Sequence, residues 1–205
     1  MYLKNESIVF SPSDLTLFTS SPFASWMDHL AITHPHLAPS RDEDDPLLSA
    51  TRKKGMEHEQ GKLLKLEKDG LSVINLVESH SIEPTMKAME SGADVIYQPP
   101  LEASPFKGRA DFLIKKEGRS KLGNFHYEVW DTKLARNVNV SFIMQLCCYA
   151  EMLERIQERR PDDIVISIGT GEDIRLRTTD YFFYYLKTKE RFLQFHSEFD
   201  VSKKP

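Results

Sequence analysis

The sequence predicts an α/β domain with a mixed central sheet flanked by helices. Three observations carry that expectation. Helical patterns open the chain, a run of three strand-like segments occupies its centre, and a long helix followed by a further strand comes after them. The centre is the clearest part. Gly108-Arg109-Ala110-Asp111-Phe112-Leu113-Ile114 and Phe125-His126-Tyr127-Glu128-Val129-Trp130-Asp131-Thr132-Lys133-Leu134-Ala135 are dominated by apolar, aromatic and β-branched residues. The run between them, Lys115 to Asn124, is polar with two glycines, so the pair reads as a hairpin.

Taken in order, Ser11-Pro12-Ser13-Asp14 starts a helix with a serine cap, a proline at the first helical position and an early acid. Ser21-Pro22 repeats the device ahead of Phe23 to Leu30. Thr33 to Pro46, with its run Arg41-Asp42-Glu43-Asp44-Asp45, reads as a solvated loop. From Leu47 to about Lys68 the pattern is helical, with Met56, Leu63 and Leu66 on one stripe. Glu59 falls in that stripe, and His58 lies at its boundary. Either the Glu59 stem packs while its head reaches water, or its carboxylate has a partner inside. Leu71 to Val77 reads as a strand, Pro84 to Glu90 as a short helix, and Ala93 to Glu102 as a strand stopped by Pro99-Pro100. After the hairpin the helix of about Ser141 to Glu158 sets Gln145 and Tyr149 four residues apart on one face. Ile164 to Ile168 and Ile174 to Thr178 pair as strands around Gly169 to Asp173, and a helix over about Asp180 to Phe199 packs its aromatics.

Composition bounds the function classes. The 205 residues fit one domain, and 40% hydrophobic with 28% charged residues is ordinary for a globular protein. A formal net charge of -4 argues against coating nucleic acid by bulk charge and leaves room for a local basic groove. Cys147 and Cys148 are the only cysteines, so no disulfide framework, zinc site or iron–sulfur ligand set is expected, and a reducing cytoplasm is. No apolar run approaches the ~20 residues of a membrane span, and the N-terminus lacks the apolar core of a signal peptide.

Alternation along the second hairpin strand places Val129, Asp131 and Lys133 on one face and Glu128, Trp130 and Thr132 on the other. A carboxylate and an ammonium thus leave together from a strand built for burial, where an unpaired charge is costly. Two readings fit: an ion pair on a half-solvated edge, or a metal ion held by Asp131 and Asp111 with Lys133 beside a phosphate or water.

Asp111 and Asp131-Thr132-Lys133, about twenty residues apart, resemble the PD-(D/E)XK nuclease motif. Gln145-Leu146-Cys147-Cys148-Tyr149 resembles the QxxxY motif of its RecB-like branch, and Gly55-Met56-Glu57-His58-Glu59 that branch's GxxxH or GxxxE segment. The string Tyr127 to Lys133 is similar to the YEVxDTK string of RecB-family nuclease domains often fused to RNase-H-like and helicase domains. Phe10 to Leu15 and Ser21-Pro22-Phe23 look like the start of many relatives, with serine where a cysteine often stands.

The resemblance runs from about Phe10 to Phe199 and implies a restriction-endonuclease-like core in one domain spanning 1–205, with N-terminal helices over about 11–68 and a catalytic core over about 71–199. The chain is then a stand-alone member or one excised domain, with a helicase or RNase-H-like partner expected in relatives of this kind. The implied activity is Mg²⁺- or Mn²⁺-dependent hydrolysis of DNA, single- or double-stranded, in repair, recombination or defence against foreign DNA. The implied metal ligands are Glu59, Asp111, Asp131 and the carbonyl of Thr132, with His58 as runner-up to Glu59. Asp111, Asp131, Lys133, Gln145 and Tyr149 are the implied catalytic set. Arg109, Arg136, Gln145 and Tyr149 are candidates for substrate contact, Arg109 because its strand neighbour Asp111 faces the site. No iron–sulfur cluster and no membrane partner are expected. The alternatives are a module that keeps the fold without the chemistry, and an RNA-directed nuclease.

Overall fold

A computed structural model describes residues 1–40 and 45–205. The acidic run expected as a loop, Arg41 to Asp44, lies outside the described residues. The chain begins with a small hairpin, β1 (Tyr2–Lys4) and β2 (Ser7–Val9), turned by Asn5 and Glu6, both at positive φ. The serine–proline starts do what their chemistry requires. Ser11 caps α1 (Pro12–Ser20), exchanging bonds with Asp14 in a capping box, and Ser21 caps α2 (Pro22–Thr33) by accepting from the Ala24 amide at 3.1 Å. Asp45 caps α3 (Pro46–Lys68). Next come β3 (Val73–Asn75), α4 (Glu83–Glu90), β4 (Val95–Tyr97), β5 (Pro100–Ala103), β6 (Phe106–Arg109), β7 (Phe112–Ser120) and β8 (Gly123–Lys133). The chain then forms α5 (Val140–Gln157), β9 (Asp163–Ile168), β10 (Asp173–Arg177) and α6 (Thr178–Ser197).

Among the described residues the main sheet has six strands in the order β10-β9-β8-β7-β4-β3. Pairing is parallel for β8 with β9 and for β3 with β4, and antiparallel elsewhere, so the α/β class with a mixed sheet flanked by helices is what the chain adopts. Parallel neighbours need a crossover, and α5 supplies the one between β8 and β9.

One face carries the main core: Leu113, Tyr127, Val129, Ile164 and Ile166 meet Ile143, Leu146, Ala150 and Leu153 of α5, with Leu15 and Phe18 of α1 and Phe182, Tyr185 and Phe192 of α6 behind. Cys147 and Cys148 are buried there, and burial pushes both thiols up to about 12, which keeps them unreactive. Val95, Tyr97, Phe112, Ile114, Trp130 and Val165 form a thinner cluster on the opposite face, under Leu66 and Leu63 of α3. No helix among the described residues is long and apolar enough to cross a membrane.

Three expectations are corrected. The polar run Lys115 to Asn124 is largely strand, since β7 extends to Ser120 and β8 starts at Gly123. Sheet neighbours cover this hairpin only at its base, where β4 meets β7 between Phe112 and Ile114 and β9 meets β8 between Val129 and Lys133. Beyond them the ribbon is two-stranded, and polar side chains suit it. Second, the strand expected over Ala93 to Glu102 is two strands in different sheets, because the chain leaves β4 at Gln98 and re-enters pairing at Pro100 in a two-stranded β5–β6 sheet. Third, Met56 is 58% exposed while Leu66 is 7% exposed, so the apolar stripe of α3 starts later than its spacing implied.

Gly108 in β6 marks a close approach. A Cβ there would lie 2.8 Å from Pro12 Cδ and 2.9 Å from the Tyr149 hydroxyl. Gly108→Ala is therefore expected to lower stability by about 1–3 kcal/mol, measured by denaturant unfolding, through overpacking between α1, β6 and α5.

Candidate functional site

The strand ends bring the expected acids together at one end of the main sheet. Asp111 sits at the switch between β6 and β7, and Asp131 and Lys133 close β8, in register with Ile166 and Ile168 of β9. Asp131 is 3% exposed, and Lys133 Nζ stands 2.6 Å from its Oδ2. Lys133 is the charged neighbour of this buried oxygen. Burial first, and then the charge of Asp111, push the Asp131 carboxyl up to about 7, against the pull of Lys133.

Asp111 is turned onto the neighbouring strand. Its Oδ2 accepts the Thr132 amide and the Thr132 hydroxyl, each at 2.7 Å. Two donors on one oxygen fix the carboxylate beside Asp131.

Glu59 reaches the same place from α3. Its carboxylate accepts a hydrogen bond from Gln98 Nε2. Burial and the charge of Asp111 raise its pKa, while hydrogen bonds from Gln98 and Tyr97 and the charge of Lys133 lower it. His58, the runner-up, points elsewhere: its Nε2 lies 3.2 Å from the Ser167 carbonyl, and it lines a separate cavity of about 330 Å³ with Lys62 and Asp173. Of the two, Glu59 is the one set beside Asp111.

The helix α5 contributes support from below. The Tyr149 hydroxyl donates to the Arg109 carbonyl at 2.7 Å, two residues before Asp111, and Gln145 hydrogen-bonds Tyr149. Burial, then the charge of Asp131, raise the Tyr149 pKa. Tyr149 is thus a buried strut for the end of β6, from which the chain turns to Asp111. Gln145 is half-buried and Arg136 exposed.

Arg109 does not present a free guanidinium to a substrate. Its Nη1 donates to the carbonyls of Leu76 (2.8 Å) and Gln98 (2.7 Å), and its Nη2 to that of Ser79. The expectation rested on strand alternation through Asp111, and the chain leaves β6 before Asp111 is reached. Arg109→Ala would leave three carbonyls without their charged donor. A loss of about 2–4 kcal/mol in denaturant unfolding is expected, whereas an arginine kept for a substrate phosphate would leave stability unchanged.

Sequence reasoning passed over Gln98 and Tyr97. The only signal was a polar residue between the apolar Val95 to Tyr97 and the proline pair.

Among the described residues no three His, Cys, Asp or Glu side chains stand close enough to hold a metal ion as placed. Each carboxylate is turned onto a local partner: Glu59 onto Gln98, Asp111 onto Thr132, Asp131 onto Lys133. The donor set nevertheless suits a hard divalent cation, being all carboxylate oxygen with a positive charge already drawn onto the buried Asp131 oxygen.

Fold and site define an α/β domain with an acidic cluster and a lysine at the end of its sheet. No family model matches the chain, and no curated protein does. Among solved structures, one titled "Crystal structure of SSO0001" is similar to it at 13% identity, covering 94% of this chain and 78% of its own, with a TM-score of 0.42.

Proposed function

We propose that the protein is a Mg²⁺- or Mn²⁺-dependent deoxyribonuclease. The observation that carries this reading is that Glu59 of α3, Asp111 of the β6–β7 junction, and Asp131 with Lys133 at the end of β8 lie within electrostatic reach of one another, where burial and the charge of Asp111 push the Asp131 carboxyl up to about 7. Lys133 is one positive charge against three carboxyl groups, and a divalent cation is the natural complement for the rest.

In this reading Glu59, Asp111, Asp131 and the carbonyl of Thr132 hold the cation. A bound Mg²⁺ or Mn²⁺ supplies Lewis acidity toward a phosphate oxygen and lowers the pKa of a water. The chain's own residues do the rest. Asp111 is preset by its two bonds from Thr132. Lys133, paired with Asp131 in the metal-free chain, carries its charge to the reacting phosphate or orients the attacking water once the carboxylate is otherwise engaged. Gln145 and Tyr149 steady the strand beneath, and exposed Arg136 is available to a backbone phosphate.

The test is cleavage of end-labelled single-stranded DNA, double-stranded DNA and RNA with Mg²⁺ or Mn²⁺ against a chelator control. Chelator-sensitive cleavage of DNA is expected. Cleavage of RNA alone would redirect the reading to an RNA-directed nuclease, and cleavage of none would leave a module that keeps the fold without the chemistry.

A further inference from the structure

We infer that Gln98 is the positioning residue for Glu59, and that the fold holds it in a left-handed backbone conformation for this purpose. The inference rests on the metal-dependent reading above. Gln98 follows β4 and precedes Pro99, with φ at 54°, a region that side chains other than glycine and asparagine rarely adopt. Three hydrogen bonds fix it there. Its amide N–H donates to the Asp111 carbonyl at 2.8 Å, its own carbonyl accepts Arg109 Nη1 at 2.7 Å, and its side-chain Nε2 donates to Glu59. One residue therefore links two of the three acids: Asp111 through the main chain and Glu59 through the side chain.

The need for such a link lies in α3. Met56, Glu57 and Gln60 around Glu59 are exposed, so little packing constrains this turn of the helix. The half-buried Glu59 carboxylate therefore depends on donors outside the helix, Gln98 from beyond β4 and the Tyr97 hydroxyl beside it. Gln98 supplies its donor as a neutral amide. A lysine or arginine would fix the carboxylate equally well, but its positive charge would compete with a cation for the same oxygens. Strained backbone at a functional site, held by surrounding bonds, is the pattern seen here.

Two substitutions separate the side chain from the backbone. Gln98→Gly relaxes the positive φ and removes the donor. Gln98→Asn also tolerates the left-handed region and keeps an amide, but one methylene too short to reach Glu59 in this geometry. Each is to be measured in the whole chain by Mn²⁺ titration calorimetry and by thermal unfolding without metal. The expected result is Mn²⁺ affinity about 10- to 100-fold weaker in both variants, with midpoints within about 4 °C of the wild type. In a Glu59→Gln background, Gln98→Gly should add no further loss, because the two residues act as one unit. Unchanged Mn²⁺ affinity in both variants would overturn the inference alone. A loss of affinity with a parallel collapse of the midpoint would overturn it too, showing a structural role only. Absence of Mn²⁺ binding by the wild type would overturn the metal-dependent reading and the inference with it.

Discussion

Alanine at Asp111, Asp131 or Lys133 is expected to lower Mn²⁺-supported DNA cleavage by at least about 10²- to 10³-fold, while each variant keeps its fold by circular dichroism. The expectation follows from what each side chain touches. Asp131 and Lys133 face each other at 2.6 Å at the end of β8, Asp131 buried and Lys133 partly open to water. Asp111→Ala also strips the Thr132 amide and hydroxyl of their acceptor, at a cost of about 1–2 kcal/mol. Asp111→Asn is therefore the better control: it keeps a carbonyl oxygen for Thr132 and removes only the charge. If Asp131→Ala cleaves as fast as the wild type, the proposed mechanism is wrong.

The second large effect is on stability and runs the opposite way. An aspartate in an unfolded chain ionises at about 3.9, whereas burial and the charge of Asp111 push Asp131 up to about 7 in the folded chain. Between these values the folded chain keeps a proton that the unfolded chain has released. Stability therefore falls as pH rises through that window and stays low above it. A displacement of this size corresponds to roughly 4 kcal/mol at most, already net of the attraction of Lys133, and relaxation and water entry around the charged carboxylate reduce it by about half. The variant is expected to be about 2 kcal/mol more stable than the wild type at pH 8 in metal-free urea unfolding, with the difference vanishing near pH 4. Saturating Mn²⁺ should stabilise the wild type and not the variant. A wild-type stability that is flat from pH 4 to 8 would contradict the burial of a charged Asp131.

What was legible in the sequence depended on local chemistry. Ser11-Pro12 and Ser21-Pro22 signalled two helix starts because capping involves only near neighbours. Alternation in β8 put Asp131 and Lys133 together because a strand's period is fixed by its backbone. Glu59 could be placed inward from its stripe, although Met56 on the same stripe is exposed. The helix meets the strand ends at Glu59 and outruns them before it, and its spacing carries no trace of where the sheet ends.

The failures share a cause of the same kind. Arg109 was aimed at the substrate by a strand period that the chain abandons at Ala110, and the three carbonyls it binds come from residues 76, 79 and 98, remote in sequence. Gln98 carries no mark in the sequence, because positive φ is announced by glycine or asparagine and here falls on glutamine. The polar tip of the β7–β8 hairpin looked like a loop because polar composition was read as absence of pairing. In the structure it is a ribbon that extends past its neighbours, with Lys115 at its base 2.6 Å from Asp94.

Titration of the wild-type chain with Mn²⁺, followed by heat, tests most directly whether Glu59, Asp111 and Asp131 form a cation site. Saturable binding that is lost in Asp131→Ala is the expected result. A wild-type chain that gives no heat of binding, or an Asp131→Ala variant that binds as the wild type does, would contradict it.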